Sequence, residues 1–80
     1  MKEIKALAKA NVSMFNAALK LEFPNASFKT EWTTNPRTGK LAAIVTGYGE
    51  VAVWDMDAVA NRFDSRYVQI ITKSNTYKLI

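Results

Sequence analysis

The side chains able to do acid–base or ligand chemistry in this 80-residue chain are carboxylates, hydroxyls and amines, because histidine and cysteine are absent. A disulfide, an iron–sulfur cluster, a thiolate zinc site and a Ser-His-Asp triad are therefore excluded. Asp55 and Asp57 are predicted to start a helix, with Asp55 as its N-cap and Asp57 in its first turn. Glu31 and Glu50 can meet across a hairpin, but an acid–base pair also needs a deep cleft, which 80 residues seldom provide.

The glycines do not form a phosphate-binding loop. Gly47-Tyr48-Gly49 lacks a third glycine and a following Lys-Ser/Thr, so it matches neither the Walker pattern nor the dinucleotide fingerprint. A bulge or a strand end explains this segment better, and no spacing singles out a nucleophilic serine. We therefore expect no catalytic residue, no metal and no cofactor, and we predict that the protein is not an enzyme.

Basic residues outnumber acidic ones, with 11 Lys and Arg against 7 Asp and Glu and a net charge of +4. This balance excludes a DNA mimic, which needs a strongly acidic surface. It permits binding to nucleic acid or to an acidic protein face. The same charge is also ordinary for the solubility of a small domain.

One predicted hairpin combines cations with an aromatic ring: Lys29, Trp32, Arg37 and Lys40. On a sheet, such cations would contact phosphates while a base stacks on the indole. Trp32 also alternates with Phe28 on one strand face, which is typical of a buried core residue, so both interpretations remain open. The Arg37–Lys40 loop is predicted to be exposed and to contact either phosphate or an acidic protein patch.

Helical spacing from Lys2 to Phe23 predicts an amphipathic first helix that ends before Pro24. Its apolar stripe is expected to cover a sheet and consists of Ile4, Ala8, Val12, Phe15, Leu19 and Phe23. Asn and Ser are poor helix-interior residues, so Asn11-Val12-Ser13 indicates either one bent helix or a second helix starting at Ser13. The lysines of this helix mostly lie off the stripe, as an ordinary solvated face.

Two strands follow, from Ser27 to Thr34 and from Leu41 to Tyr48, joined by a loop with Pro36 and Gly39. We expect them to pair antiparallel. A short helix with Met56, Val59, Ala60 and Phe63 on one face comes next, and then a strand from Tyr67 to Thr72. The predicted fold is a single α+β domain, residues 1–80, with a small antiparallel sheet, helices on one face and the order α-β-β-α-β(-β).

The final segment, Tyr67 to Ile80, is apolar and carries two charges, Lys73 and Lys78. A terminal edge strand at Thr76–Ile80 would pair with a second copy of the chain or with a partner's sheet. The two lysines are equally consistent with gatekeepers that keep the chain monomeric.

No targeting or membrane segment is predicted. Lys5 and Lys9 interrupt the apolar run that a signal peptide needs, and 18 apolar residues never occur together. We expect a cytoplasmic protein that does not bind a membrane.

The run from Ala17 to Phe28, with its Phe23-Pro24 and Phe28, resembles the "helix, F-P-x-x-x-F, strand" opening of a domain from phages and conjugative elements. That domain belongs to the large polyvalent-protein-associated domains. The family's glycine loop, second strand and short helix correspond to residues 35–40, 41–49 and 56–63. The resemblance implies a mobile genetic element and a role in managing the host.

The main functional hypothesis is a non-enzymatic phage or mobile-element protein that binds a host protein or ribonucleoprotein complex and inhibits or redirects it. Such an activity would be of the anti-defence or anti-CRISPR kind. Aromatic and arginine side chains dominate interface energetics, so the predicted contact residues are Trp32, Arg37, Lys40, Tyr48, Tyr67 and Tyr77. The alternative is a basic, weakly sequence-specific protein that binds single-stranded nucleic acid through the same hairpin.

Overall fold

A computed structural model describes residues 2–63 and 65–75 of the protein. In chain order, its elements are α1 (Lys2–Glu22), β1 (Ala26–Thr34), β2 (Leu41–Gly49), α2 (Val53–Ala60) and β3 (Gln69–Ser74). The α+β class and the order α-β-β-α-β are confirmed. The predicted last strand, Thr76–Ile80, lies outside the described residues.

The three strands form a mixed sheet in the order β1-β2-β3. β1 and β2 pair antiparallel as predicted, from Ala26 opposite Gly49 to Thr34 opposite Leu41. β3 instead pairs parallel to β2, from Ala42 opposite Gln69 to Gly47 opposite Ser74. The sequence predicts an antiparallel sheet throughout, and this is wrong for β3. The difference arises because α2 carries the chain back to the end of the sheet where β2 begins, before β3 starts.

α1 is a single continuous helix through Asn11-Val12-Ser13. Val12 is buried in the middle of this segment, and burial of a helix face outweighs the weak propensity of its neighbours. Asn16 Nδ2 also donates a 2.9 Å hydrogen bond to Thr30 Oγ1 of β1, which ties the centre of the helix to the sheet. No helix in the described part of the chain has the length and apolarity needed to cross a membrane.

Both helices cover the same face of the sheet, as predicted. Strand β2 contributes Ala43 and Val45 to this face, and the side chains around them come from both helices and from the segments just before α2 and β3. The fully or almost fully buried members are Ala8, Val12, Phe15, Leu19, Val51, Met56, Val59 and Val68. Among the apolar α1 residues predicted to cover the sheet, Ile4 departs from this core, since half of its side chain is exposed.

α2 begins earlier than predicted. Ala52 is its N-cap, with φ −102° and ψ 152°, and Asp55 lies inside the first turn. The predicted N-cap role of Asp55 is therefore wrong. Val51 and Ala52 are buried against the sheet, so packing fixes the helix start there, and the Ala52 carbonyl accepts the first bonds from the Asp55 and Met56 amides. Asp57 accepts a hydrogen bond from the Thr72 hydroxyl of β3.

Candidate macromolecule-binding site

One depression in the described part of the chain has a volume of about 680 Å³. It lies where the β1–β2 loop, the start of α1 and the segment leading into β3 meet, and we call it the loop-end groove. Its lining residues are Ile4, Lys5, Thr34, Asn35, Thr38, Gly39, Lys40, Leu41, Ser65, Arg66, Tyr67, Val68 and Gln69. Three separate regions of the sequence therefore build one concave surface.

The groove combines positive charge with an apolar surface. Lys5, Lys40 and Arg66 line it, and no described lining residue carries a carboxylate. Leu41 and Tyr67 supply apolar surface, and the Arg66 guanidinium carbon lies 5.7 Å from the centre of the Tyr67 ring. Such a surface favours an anionic ligand that also carries apolar or planar groups.

Asn35 organises the loop on the groove's edge. Its side-chain oxygen accepts a 2.9 Å hydrogen bond from the Arg37 amide, and its side-chain nitrogen donates to Gln69 Oε1 at the start of β3. Its backbone amide donates a 2.8 Å hydrogen bond to the Lys40 carbonyl, and its backbone carbonyl accepts a 2.7 Å hydrogen bond from the Gly39 amide. Gly39 adopts φ +69°, which a residue without Cβ accepts readily. These bonds link the two ends of the loop to each other and to the start of β3.

Replacing Asn35 with alanine tests this role. We expect the Arg37 amide to exchange with solvent deuterium roughly fivefold faster, because it loses its side-chain acceptor, worth about 1 kcal/mol. The Gly39 amide bonds to the backbone of Asn35, so its exchange should change less. Equal exchange at Arg37 in the two proteins would show that the Asn35 side chain does not order the loop.

The six predicted contact residues do not form one site. Lys40 and Tyr67 line the groove together, while Arg37 lies in the adjoining loop and is exposed. Tyr48, 38% exposed, lies near the far end of β2, about 23 Å along the strand from Leu41. Tyr77 lies outside the described residues.

Trp32 has features of both a core residue and an exposed contact residue. It lies on the helix-side face of β1, opposite Ala43, as its alternation with Phe28 predicts. Nevertheless 40% of the side chain is exposed, because Trp32 is on an edge strand. An indole in that position remains accessible to a ligand, although it does not line the groove.

Sequence reasoning missed Lys5 and Arg66 as groove residues. The helical spacing places Lys5 on the solvated face of α1, and Arg66 follows a short helix without any motif around it. Only the packing of the helix start against the end of the sheet brings them near Lys40. The only signal in the sequence is that a basic residue lies in each of these three segments, near a chain terminus or a turn. That pattern occurs in many small domains.

Residues 2–63 and 65–75 contain no group of three acidic side chains close enough to hold a metal ion. No protein-family model, no curated protein and no solved structure matches the chain.

Proposed function

We propose that this chain is a non-enzymatic accessory protein of a phage or mobile genetic element that docks on a host complex in the cytoplasm and inhibits or redirects it. The loop-end groove is the contact surface, and an acidic segment of a host protein is its target. The observation that carries the proposal is the placement of Lys5, Lys40 and Arg66 around one apolar depression.

The size and shape of the groove suit a docked segment. Its volume of about 680 Å³ lies within the range of protein ligand sites, roughly 300–1,000 Å³. A loop already held by Asn35 loses little conformational entropy on binding, which favours affinity. The apolar surface of Tyr67 and Leu41 can supply contact energy, while the cations select an acidic partner.

The net charge of +4 supports the same target class. A basic protein meets an acidic surface faster because long-range attraction steers the encounter. The mobile-element context rests on the resemblance of the Ala17–Phe28 run to the phage and conjugative-element domain.

Single-stranded nucleic acid is the second candidate, and a specific observation favours it. Tyr67 and Arg66 lie side by side in a groove that also contains Lys5 and Lys40, which is an arrangement suited to a stacked base between phosphates. Salt separates the two candidates. Binding through several phosphates falls by orders of magnitude between about 50 and 200 mM salt, whereas a partly apolar protein interface loses much less.

The test is an affinity capture from lysates of bacterial hosts, with and without nuclease, followed by titration against the purified captured protein. The K5E/K40E variant is expected to bind at least about tenfold more weakly, since charge-assisted contacts become repulsive. The K9E/K73E variant has the same net charge and alters two exposed lysines outside the groove. It is the matched control and should retain most of the affinity.

Equal loss in both variants would mean that overall charge, and not the groove, drives binding. Capture that disappears with nuclease would support the nucleic-acid alternative instead. Capture of a protein whose affinity is unchanged in K5E/K40E would contradict the groove as the contact surface.

A further inference from the structure

α1 exposes a second apolar line that does not face the sheet. Leu7, Met14 and Leu21 are 46%, 63% and 84% exposed, and Ala10 and Ala17 between them are exposed as well. Residues seven apart lie almost above one another, since two helical turns take about 7.2 residues. We call these five residues the α1 stripe. It runs along most of the helix and, unlike the groove, is part of no site described above.

The fold itself leaves the α1 stripe uncovered. The opposite side of α1 supplies the core through Ala8, Val12, Phe15 and Leu19. An angle of about 100° per residue places the stripe roughly 150° around the helix from these buried positions. A long apolar line on the outside of a small protein marks an interaction surface, and the helix cannot turn it inward without exposing the core.

We propose that the α1 stripe pairs with the α1 stripe of a second copy of the chain, in an antiparallel arrangement. The two-fold axis would cross α1 at the level of residue 12, on the exposed side of the helix. Leu7 of one copy then faces Ala17 of the other, and Met14 faces Ala10. Leu7 and Met14 then each meet an alanine, and Leu21 meets Glu3 at each end, so the helices can approach closely in the middle of the interface. This complementarity within one sequence is the reason to assign a second copy.

Charge supports the antiparallel direction. Glu3 is on the same line as the stripe in the first turn of α1, and Lys20 is beside Leu21 in the last turn. Antiparallel pairing brings Glu3 of each copy next to Lys20 of the other, at both ends of the interface. Parallel pairing would bring Glu3 to Glu3 and Lys20 to Lys20, and like charges repel.

The expected dimer is weak. A helix of 21 residues is about 30 Å long, so one helix pair buries an area at the small end of specific interfaces, about 1,200 Å² or less. We expect a dissociation constant in the micromolar range, because interfaces of this size are typical of weak, transient complexes. Because Ile4 and Lys5 line the loop-end groove, the dimer presents its two grooves at opposite ends.

The experiment is sedimentation equilibrium of the purified chain from about 1 to 500 μM, a range that spans the expected dissociation constant. The wild type should pass from the monomer mass to twice that mass. M14E should remain a monomer throughout, with an unchanged melting temperature at low concentration because Met14 is exposed. E3K and K20E should each weaken the dimer several-fold, and E3K/K20E should regain most of that loss.

A wild type that stays monomeric over the whole range overturns the proposal. A dimer that M14E does not disrupt also overturns it, and indicates pairing through another surface such as the C-terminal edge. Failure of E3K/K20E to recover what the single charge reversals lose contradicts the antiparallel arrangement. None of these results depends on the groove, so they are distinguishable from failure of the proposed function.

Discussion

Phe15→Ala is expected to lower the free energy of unfolding by about 3–5 kcal/mol, the largest effect of any single truncation considered for this fold. Phe15 is completely buried. Its ring packs edge-on against Phe63 with ring centres 5.6 Å apart, and it joins both helices to β2 through Leu19, Met56 and Val45. Small domains have roughly 0.05–0.15 kcal/mol of stability per residue. The variant should therefore be largely destabilised, with a melting temperature lower by more than about 10 °C.

Met14→Ala is the matched control, because the neighbouring residue points away from the core and is 63% exposed. We expect it to change the free energy of unfolding by less than about 0.5 kcal/mol. Both variants are measured by urea unfolding at a protein concentration where the chain is monomeric, so that pairing through α1 does not contribute. Comparable losses in the two variants would contradict the assignment of the buried face of α1.

Gly47→Ala is expected to destabilise the protein by about 1–3 kcal/mol through overpacking. A Cβ at this position would lie 2.7 Å from Val51 Cγ1 and 2.8 Å from Met56 Sδ, closer than carbon atoms in proteins approach. The chain needs glycine here because the start of α2 packs directly on β2. Backbone freedom is not the reason, since the positive-φ glycines are Gly39 and Gly49.

A double-mutant cycle with Val51→Ala tests this mechanism. Removing the Val51 methyl groups should relieve part of the clash, so the two losses should be less than additive by at least about 0.5 kcal/mol. Gly39→Ala is the control. A Cβ at Gly39 would meet nothing within 4 Å, but alanine at its φ of +69° should lower the free energy of unfolding by about 1 kcal/mol. This loss should be additive with the loss from Val51→Ala. Full additivity at Gly47 would exclude steric contact with Val51 as the cause.

Local patterns account for much of the fold. Helical spacing of apolar residues predicts both α1 and its buried face. The four residues Ala8, Val12, Phe15 and Leu19 of this pattern are all buried. Strict alternation in β1 and the Pro36–Gly39 loop predicted the antiparallel hairpin, which is confirmed. These features depend on the 3.6- and two-residue periods of helix and strand, so neighbours in sequence are enough to define them.

Long-range packing accounts for the rest. The direction of β3 depends on where α2 crosses the sheet, and the start of α2 at Ala52 depends on burial of Val51 and Ala52, not on the nearby Asp55. The candidate site depends most on long-range packing. Lys40 and Tyr67 were identified individually, but their position beside Lys5 and Arg66 requires three chain segments to meet at one end of the sheet. Periodicity within a segment shows which face is buried, whereas the distance between segments is set only when their faces pack together.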